Sequence, residues 1–552
     1  MRFVGIVRPL AERRAVAEYV TRKRFGGEIE RELQGLCESQ GDFSDPFDGP
    51  HWNGWGVDQS NTRFQSAEMA ELTAGQVPEL KLRWAFGFPG DILAYAQPTV
   101  AGGRVFVGSQ GRRVYSLDAR TGCTHWAFEA DSSVRASVVI GQVSSTAGAH
   151  YRAFFGDLHA NFYALDAATG RQLWKRKLED HPDARVTAAA KLHGGRLYVG
   201  IFSFEEATGG QPDYECCKFR GSVVALDAIT GREIWKSYTI QQEPRPVRKN
   251  KDGTQLWGPS GAGVWNSPAL DLKRNVLYVG TGDNYSDPPN ETSDAIVAFG
   301  MDTGKMLWSR QFTEGDAFVL ACVTPDKTNC PEANGPDENF ASSPILVPLP
   351  SGKRVLLAGQ KSGVLHALDP DRDGEVLWQA AIGKGGVLGG IQWGSAVAGD
   401  TIFVALADPE IELDLKSELG LEMILSSEAG GGLFAYQIST GKRVWYTPPA
   451  PCGDRKPCSP AQSAAVTVIP GVVFSGSMDG HLRAYATEDG KVLWDFDTFG
   501  DYETVNGVDA NGGALDAAGP VVVGGMLSVN SGYGYFGGKA GNVLLAFSVD
   551  GK

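Results

Sequence analysis

One short phrase recurs along this chain: an alternating apolar run, Ala-Leu-Asp or a variant, Thr-Gly, two or three residues, then Trp. It reads RRVYSLDARTGCTHW (112–126), NFYALDAATGRQLW (161–174), SVVALDAITGREIW (222–235), AIVAFGMDTGKMLW (295–308), GVLHALDPDRDGEVLW (363–378), GLFAYQISTGKRVW (432–445) and HLRAYATEDGKVLW (481–494). An eighth copy, NVLLAFSVDGK (542–552), stops before its Trp. Alternation, a Gly-containing tight turn and renewed alternation make a hairpin, so each phrase predicts the third strand, turn and start of the fourth strand of one unit. Units spaced about 48–73 residues apart predict a propeller or solenoid. The unpartnered run LKLRWAFGF (80–88) supplies, through Trp84, the strand that the last copy lacks. Closure of that kind leaves no open sheet edge and favours an all-β, eight-bladed propeller.

A Gly-bounded β run precedes most copies, as in GGRVFVGSQG (102–111), RNVLYVGTGD (274–283) and GVVFSGSMDG (471–480). These are expected to be the inner strands, with Gly where backbones crowd at the axis. Helical spacing is confined to residues 12–25 and 27–36. The chain therefore divides into a helical segment over 1–45 and a propeller over 46–552.

The net charge of −14 argues against nucleic acid and makes a basic protein a plausible partner. The longest apolar runs are too short to span a bilayer. Cys322 and Cys330 bracket one polar loop and Cys452 and Cys458 another, while Cys216 and Cys217 are adjacent. Loop-closing pairs in a Gly- and Pro-rich setting predict an oxidising compartment, here the periplasm. The opening MRFVGIVRPLAERRAVAEYV lacks the order of a secretory leader, so Met1 is expected not to be the native start. No paired CxxC suggests structural zinc.

The repeated phrase resembles the tryptophan-docking repeat of pyrroloquinoline quinone (PQQ)-dependent alcohol dehydrogenases, over roughly residues 50–552. Within that family, HWNGWGVDQSNTRFQ (51–65), ECCKFRGSVVALD (215–227) and VWNSPALDLKRNVLYVGTGDNYSDPP (264–289) are similar to the quinohaemoprotein branch that oxidises polyvinyl alcohol. The first forty residues resemble the last helices of that branch's cytochrome c domain. CxxCH is absent, so haem c is not expected on this chain.

The resemblance implies a set of site residues. Trp265, eighteen residues before Asp283, matches the family's stacking tryptophan, an aromatic floor for a flat quinone. Glu205 matches the calcium glutamate, with Glu206 able to substitute, and Thr187 matches a cofactor-contacting threonine. Asp283 replaces the usual calcium asparagine, and Asn284 follows it. Oxygen ligands of this kind suit Ca²⁺, a Lewis acid for the quinone carbonyl. Lys361 matches the cation placed against the quinone oxygens. For the catalytic base, Asp294 and Asp287 are both available, with Asp294 favoured. Ile296, two residues beyond Asp294, stands where lanthanide-using members add an Asp, which favours calcium. Cys216 and Cys217 resemble the disulfide ring that covers the quinone, although pairing with Cys37 or Cys123 is the alternative.

The resemblance thus implies a periplasmic PQQ- and Ca²⁺-dependent alcohol dehydrogenase acting on secondary hydroxyls and passing electrons to a cytochrome c. The repeats alone also fit a non-catalytic propeller that binds protein or polysaccharide at the cell envelope. The set Glu205, Asp283, Trp265 and Lys361 separates the two, since a scaffold has no use for it.

Overall fold

The computed structural model describes residues 33–39, 41, 43, 45–145, 148–349, 351–414 and 422–551. The helical segment expected over 12–25 lies outside them, as does most of 27–36. The described end of the latter is extended, and Leu36 bridges Thr124 in parallel.

Eight antiparallel blades follow in chain order, seven of four strands and the third of five. Blade 1 comprises Thr99–Ala101, Arg104–Gly108, Arg113–Asp118 and Thr124–Glu129. Blade 4 repeats the plan with Ala269–Asp271, Val276–Gly280, Ala295–Gly300 and Met306–Gln311. The repeated phrase forms third strand, turn and fourth strand, as its alternation requires. The Gly-bounded runs are second strands, not the innermost ones. The axis is instead lined by strands of about three residues, such as Thr99–Ala101, too short to leave a periodic signal.

The ring closes as the sequence requires. Lys81–Gly87 pairs with Val543–Ser548, Trp84 lying opposite Ala546. Each docking tryptophan then locks one blade to the next. Trp126 Nε1 donates to Ala167 O (3.1 Å) and Trp174 Nε1 to Ala228 O (3.3 Å). The indole of Trp174 lies on Gly231, whose φ of +69° and lack of Cβ admit it: a Cβ there would sit 2.7 Å from the ring.

Residues 52–65 run through the centre and touch the innermost strand of every blade in order. Trp52 exchanges backbone hydrogen bonds with Val100 at 2.8 Å, and the Asn53 side chain binds Ile140. Gln59 Nε2 donates to Leu192 O, and Gln59 O accepts from Leu270 N. Ser60 O, Thr62 O and Arg63 O accept from Leu346, Val397 and Val468, and Gln65 Nε2 reaches Val522 O. Arg63, wholly buried, donates to Trp55 O, Val466 O and Gln97 Oε1, and its pKa is lowered by burial to about 9. This segment plugs the axis and gives the space beyond it a floor.

The disulfides are Cys37–Cys123, Cys216–Cys217, Cys322–Cys330 and Cys452–Cys458. Cys216 is therefore not joined to Cys37 or Cys123.

Candidate active site

Innermost strands start, and second strands finish, at the same end of the propeller, because the two are antiparallel neighbours. Residues just before the former and just after the latter are thereby gathered around one mouth. Thr187 and Trp265 belong to the first class; Glu205, Glu206, Asp283 and Lys361 belong to the second. Blades 3 to 5 supply all six, and Asp294 enters immediately before the third strand of blade 4.

An acidic cluster lies here. Glu206, Asp283, Asp294, Asp316 and Asp337 act on one another electrostatically around the single ammonium of Lys361. Lys361 Nζ lies 2.7 Å from Asp337 Oδ2. Burial would lower the lysine's pKa, but Asp337 and Glu206 outweigh it and raise the value above the ordinary one. Asp337 and Asp283 are tied together through Asn339, which donates to Asp337 Oδ1 and accepts from Asp283 N at 2.5 Å. Burial, and then the neighbouring carboxylates, hold Asp283 and Asp294 well above the carboxylate range.

Asp294 is fully buried, and neither of its oxygens has a hydrogen-bond partner among the described residues. The adjacent Ser293 hydroxyl donates to Asn290 O at 3.1 Å. Asp294 also sits at φ +47°, a strained conformation for a residue with a Cβ. Asp287 differs on every count: its oxygens accept from Glu332 N (2.7 Å) and Ala333 N (3.0 Å), which makes it a brace for the following loop. Asp283 Oδ2 is also without a partner among the described residues, whereas Asn284 is engaged with Ser293, Asp316 O and Asn290 N.

Glu205 and Glu206 diverge. The Glu205 carboxylate accepts from Lys218 N, Phe219 N, Tyr214 Oη and His181 Nε2. Glu206, half-buried, is the one coupled to Lys361 and Asp283. Both glutamates that the family register offers, Glu205 and its neighbour Glu206, thus lie on one turn of chain with different surroundings.

Beside the acids lies a small cavity of about 30 Å³ bounded by Trp265, Trp393, Thr187, Arg135 and Tyr95, with Trp55 of the axial plug also in its wall. Trp265 packs edge-on against Trp393 at 5.4 Å, and the Arg135 guanidinium lies 4.6 Å over the Trp393 ring. Thr187 Oγ1, Tyr95 Oη and Trp55 Nε1 are buried without partners among the described residues. The Cys216–Cys217 disulfide packs in one buried cluster with Phe219 and Tyr285.

These residues fit a flat, polyanionic quinone and its cation. The indole offers a stacking face, Arg135 a positive charge, and the unpaired hydroxyls sites for polar rim atoms. Among the described residues no three His, Cys, Asp or Glu groups form a ready metal cage. The surplus of buried carboxylates with unpaired oxygens is nonetheless what a divalent ion would neutralise. Asp316, Asp337 and Arg135 escaped the sequence reading. They come from long loops with no local pattern, and only their charge could have marked them.

The family model "Glucose/ethanol/alcohol dehydrogenase, beta-propeller domain" matches residues 52–319, and that of the outer membrane protein assembly factor BamB matches 219–448, 361–498 and 429–552. A polyvinylalcohol dehydrogenase of Pseudomonas sp is 41% identical over 99% of this chain and 88% of its own length. That of Sphingopyxis sp. (strain 113P3) is 40% identical over 91% and 77%. The crystal structure of quinohemoprotein alcohol dehydrogenase from Comamonas testosteroni has the same fold, with a TM-score of 0.64 at 20% identity, covering 91% of this chain and 81% of that one. Propeller, acidic mouth and similarity over nearly the whole of this chain agree: the chain belongs to the PQQ-dependent alcohol dehydrogenase family.

Proposed function

We propose that this protein oxidises secondary hydroxyls of the polyvinyl alcohol type, with PQQ and Ca²⁺ at the mouth of the propeller, and passes electrons to a cytochrome c outside the cytoplasm. The similarity to polyvinylalcohol dehydrogenases over nearly the whole of this chain supports the substrate class, and the four disulfides support an oxidising compartment.

When bound, PQQ supplies a two-electron acceptor and calcium polarises its carbonyl. Asp294 takes the proton of the substrate hydroxyl, the role for which an unpaired buried carboxylate is suited. Glu206 and Asp283 provide oxygens for the cation. Lys361 stabilises negative charge next to the base, and Asp337 fixes its direction. Trp265 and Thr187 orient the ring system, Arg135 balances its carboxylates, and the Cys216–Cys217 ring excludes water from above.

The observation that carries this reading is Asp294, wholly buried with two free oxygens. Asp294→Asn should retain PQQ in a Ca²⁺-dependent spectral titration yet lower kcat by about 10²–10⁴-fold. Asp287→Asn should leave turnover within a few-fold. The opposite pattern would transfer the role of base to Asp287.

A further inference from the structure

Glu205 occupies the turn where a cation ligand is expected, yet its carboxylate is saturated by other groups. Oε1 accepts from Lys218 N at 2.8 Å, Tyr214 Oη at 3.0 Å and His181 Nε2 at 3.2 Å. Oε2 accepts from Phe219 N at 2.8 Å and shares Lys218 N at 3.0 Å. Three of these four donors belong to residues 214–219, the loop that carries Cys216 and Cys217. The side chain is about 1% exposed, so no water competes for it.

The same loop is gripped from its other side. Trp257 N donates to Cys216 O at 2.6 Å and Cys217 N to Trp257 O at 3.2 Å, while Lys218 Nζ lies 4.4 Å over the Trp257 ring. The helical turn Glu205–Thr208 brings Gly209 so close that a Cβ there would lie 2.6 Å from Cys216 Sγ. The disulfide is thus held between the carboxylate of Glu205 and the hairpin strand of Trp257.

We propose that Glu205 is a positioning residue: its carboxylate anchors the Tyr214–Phe219 loop and so sets the Cys216–Cys217 disulfide over the mouth, leaving Glu206 to serve the cation. A carboxylate accepting two successive backbone N–H groups is a strong, charge-assisted anchor. The inference rests on the quinone reading for its purpose, but not for its test.

The test is the reactivity of individual disulfides toward tris(2-carboxyethyl)phosphine in the cofactor-free full chain, followed by differential alkylation and peptide mass spectrometry. In Glu205→Gln an amide replaces one accepting oxygen, and Cys216–Cys217 should be reduced at least tenfold faster. Cys322–Cys330 and Cys452–Cys458 should keep wild-type rates, and the amides of Lys218 and Phe219 should lose hydrogen-exchange protection. Glu206→Gln should leave every disulfide rate unchanged while weakening Ca²⁺-dependent PQQ binding. Tyr214→Phe removes one loop donor and should accelerate the same disulfide by a smaller factor; it carries the test if Glu205→Gln does not fold. Wild-type disulfide rates in either loop variant would overturn the proposal. So would loss of Ca²⁺-dependent binding in Glu205→Gln with the loop still protected, which would make Glu205 the cation ligand. Failure of every variant and the wild type to bind PQQ would refute the quinone reading and leave the disulfide result standing.

Discussion

Lys361 Nζ lies 2.7 Å from Asp337 Oδ2, and the two side chains are only 6% and 1% exposed. Removing one partner strands the other in a crowd of acids. Lys361→Met should lower stability by about 3–5 kcal/mol in urea titrations. Adding Asp337→Asn should restore a large part of that loss. A double variant no more stable than Lys361→Met would mean that the ammonium answers to the whole cluster rather than to Asp337.

The acidic mouth predicts dependence on a cation. With a calcium chelator present, PQQ titrated into the apo-protein should bind markedly more weakly than with Ca²⁺, because charging Glu206, Asp283 and the quinone carboxylates together is opposed when no cation lies among them. Ca²⁺ with PQQ should raise Tm, and the chelator should abolish the rise. Equal affinity with and without chelator would remove the metal from the site.

Lys191 is buried in the innermost strand of blade 3, with Nζ donating to Asp58 O of the axial plug. Burial lowers its pKa to about 8 from 10.5. Between those values the unfolded chain holds a proton that the folded one has lost, so stability rises with pH over this window. The full cost, about 3 kcal/mol, applies below it. Lys191→Met should flatten the rise in denaturant midpoint between pH 8 and 10.5 relative to wild type. Parallel profiles would show that the lysine stays charged in the fold.

Two glycines separate conformational strain from the blade lock. Gly231 (φ +69°) lies under Trp174, whereas Gly253 (φ +89°) has nothing within 4 Å of an added Cβ. Gly253→Ala should cost about 1–2 kcal/mol for the left-handed backbone alone. Gly231→Ala should cost about 1–3 kcal/mol more, because the indole must move. Equal losses would show that the tryptophan contact adjusts freely.

The blades were legible because strand, turn and strand are adjacent in sequence and each repeats its own alternation. Trp84 could be assigned to the last sheet for the same reason, since one strand was missing there and one was spare. The innermost strands left no signal because three residues carry no period. The plug left no trace either: Gln65 meets Val522, and Arg63 meets Val466, through contacts more than 400 residues apart that use amide and guanidinium groups rather than an apolar pattern. At the site, the residues that family register offers, Trp265, Thr187, Asp283 and Lys361, share one end of the propeller because each is tied to a strand end. The sequence leaves Glu205 and Glu206 as alternatives, because the surroundings of Glu205 depend on the amides of Lys218 and Phe219. Asp316 and Asp337 lie in the long connection between Gln311 and Ile345, where no strand pattern marks them.

The axial plug also bears on how the ring is made. Residues 52–65 emerge from the ribosome ahead of every blade, and they meet the blades in the order in which those blades are synthesised. Each new blade can therefore dock on a segment already waiting, and the ring is built around its own centre. Only Lys81–Gly87 must wait for the last blade. A circular permutant starting after Gln65, with its former N-terminal segment moved to the end, would have to thread that segment into a finished ring. Such a chain should refold far more slowly than the natural order allows, even though it contains every native contact.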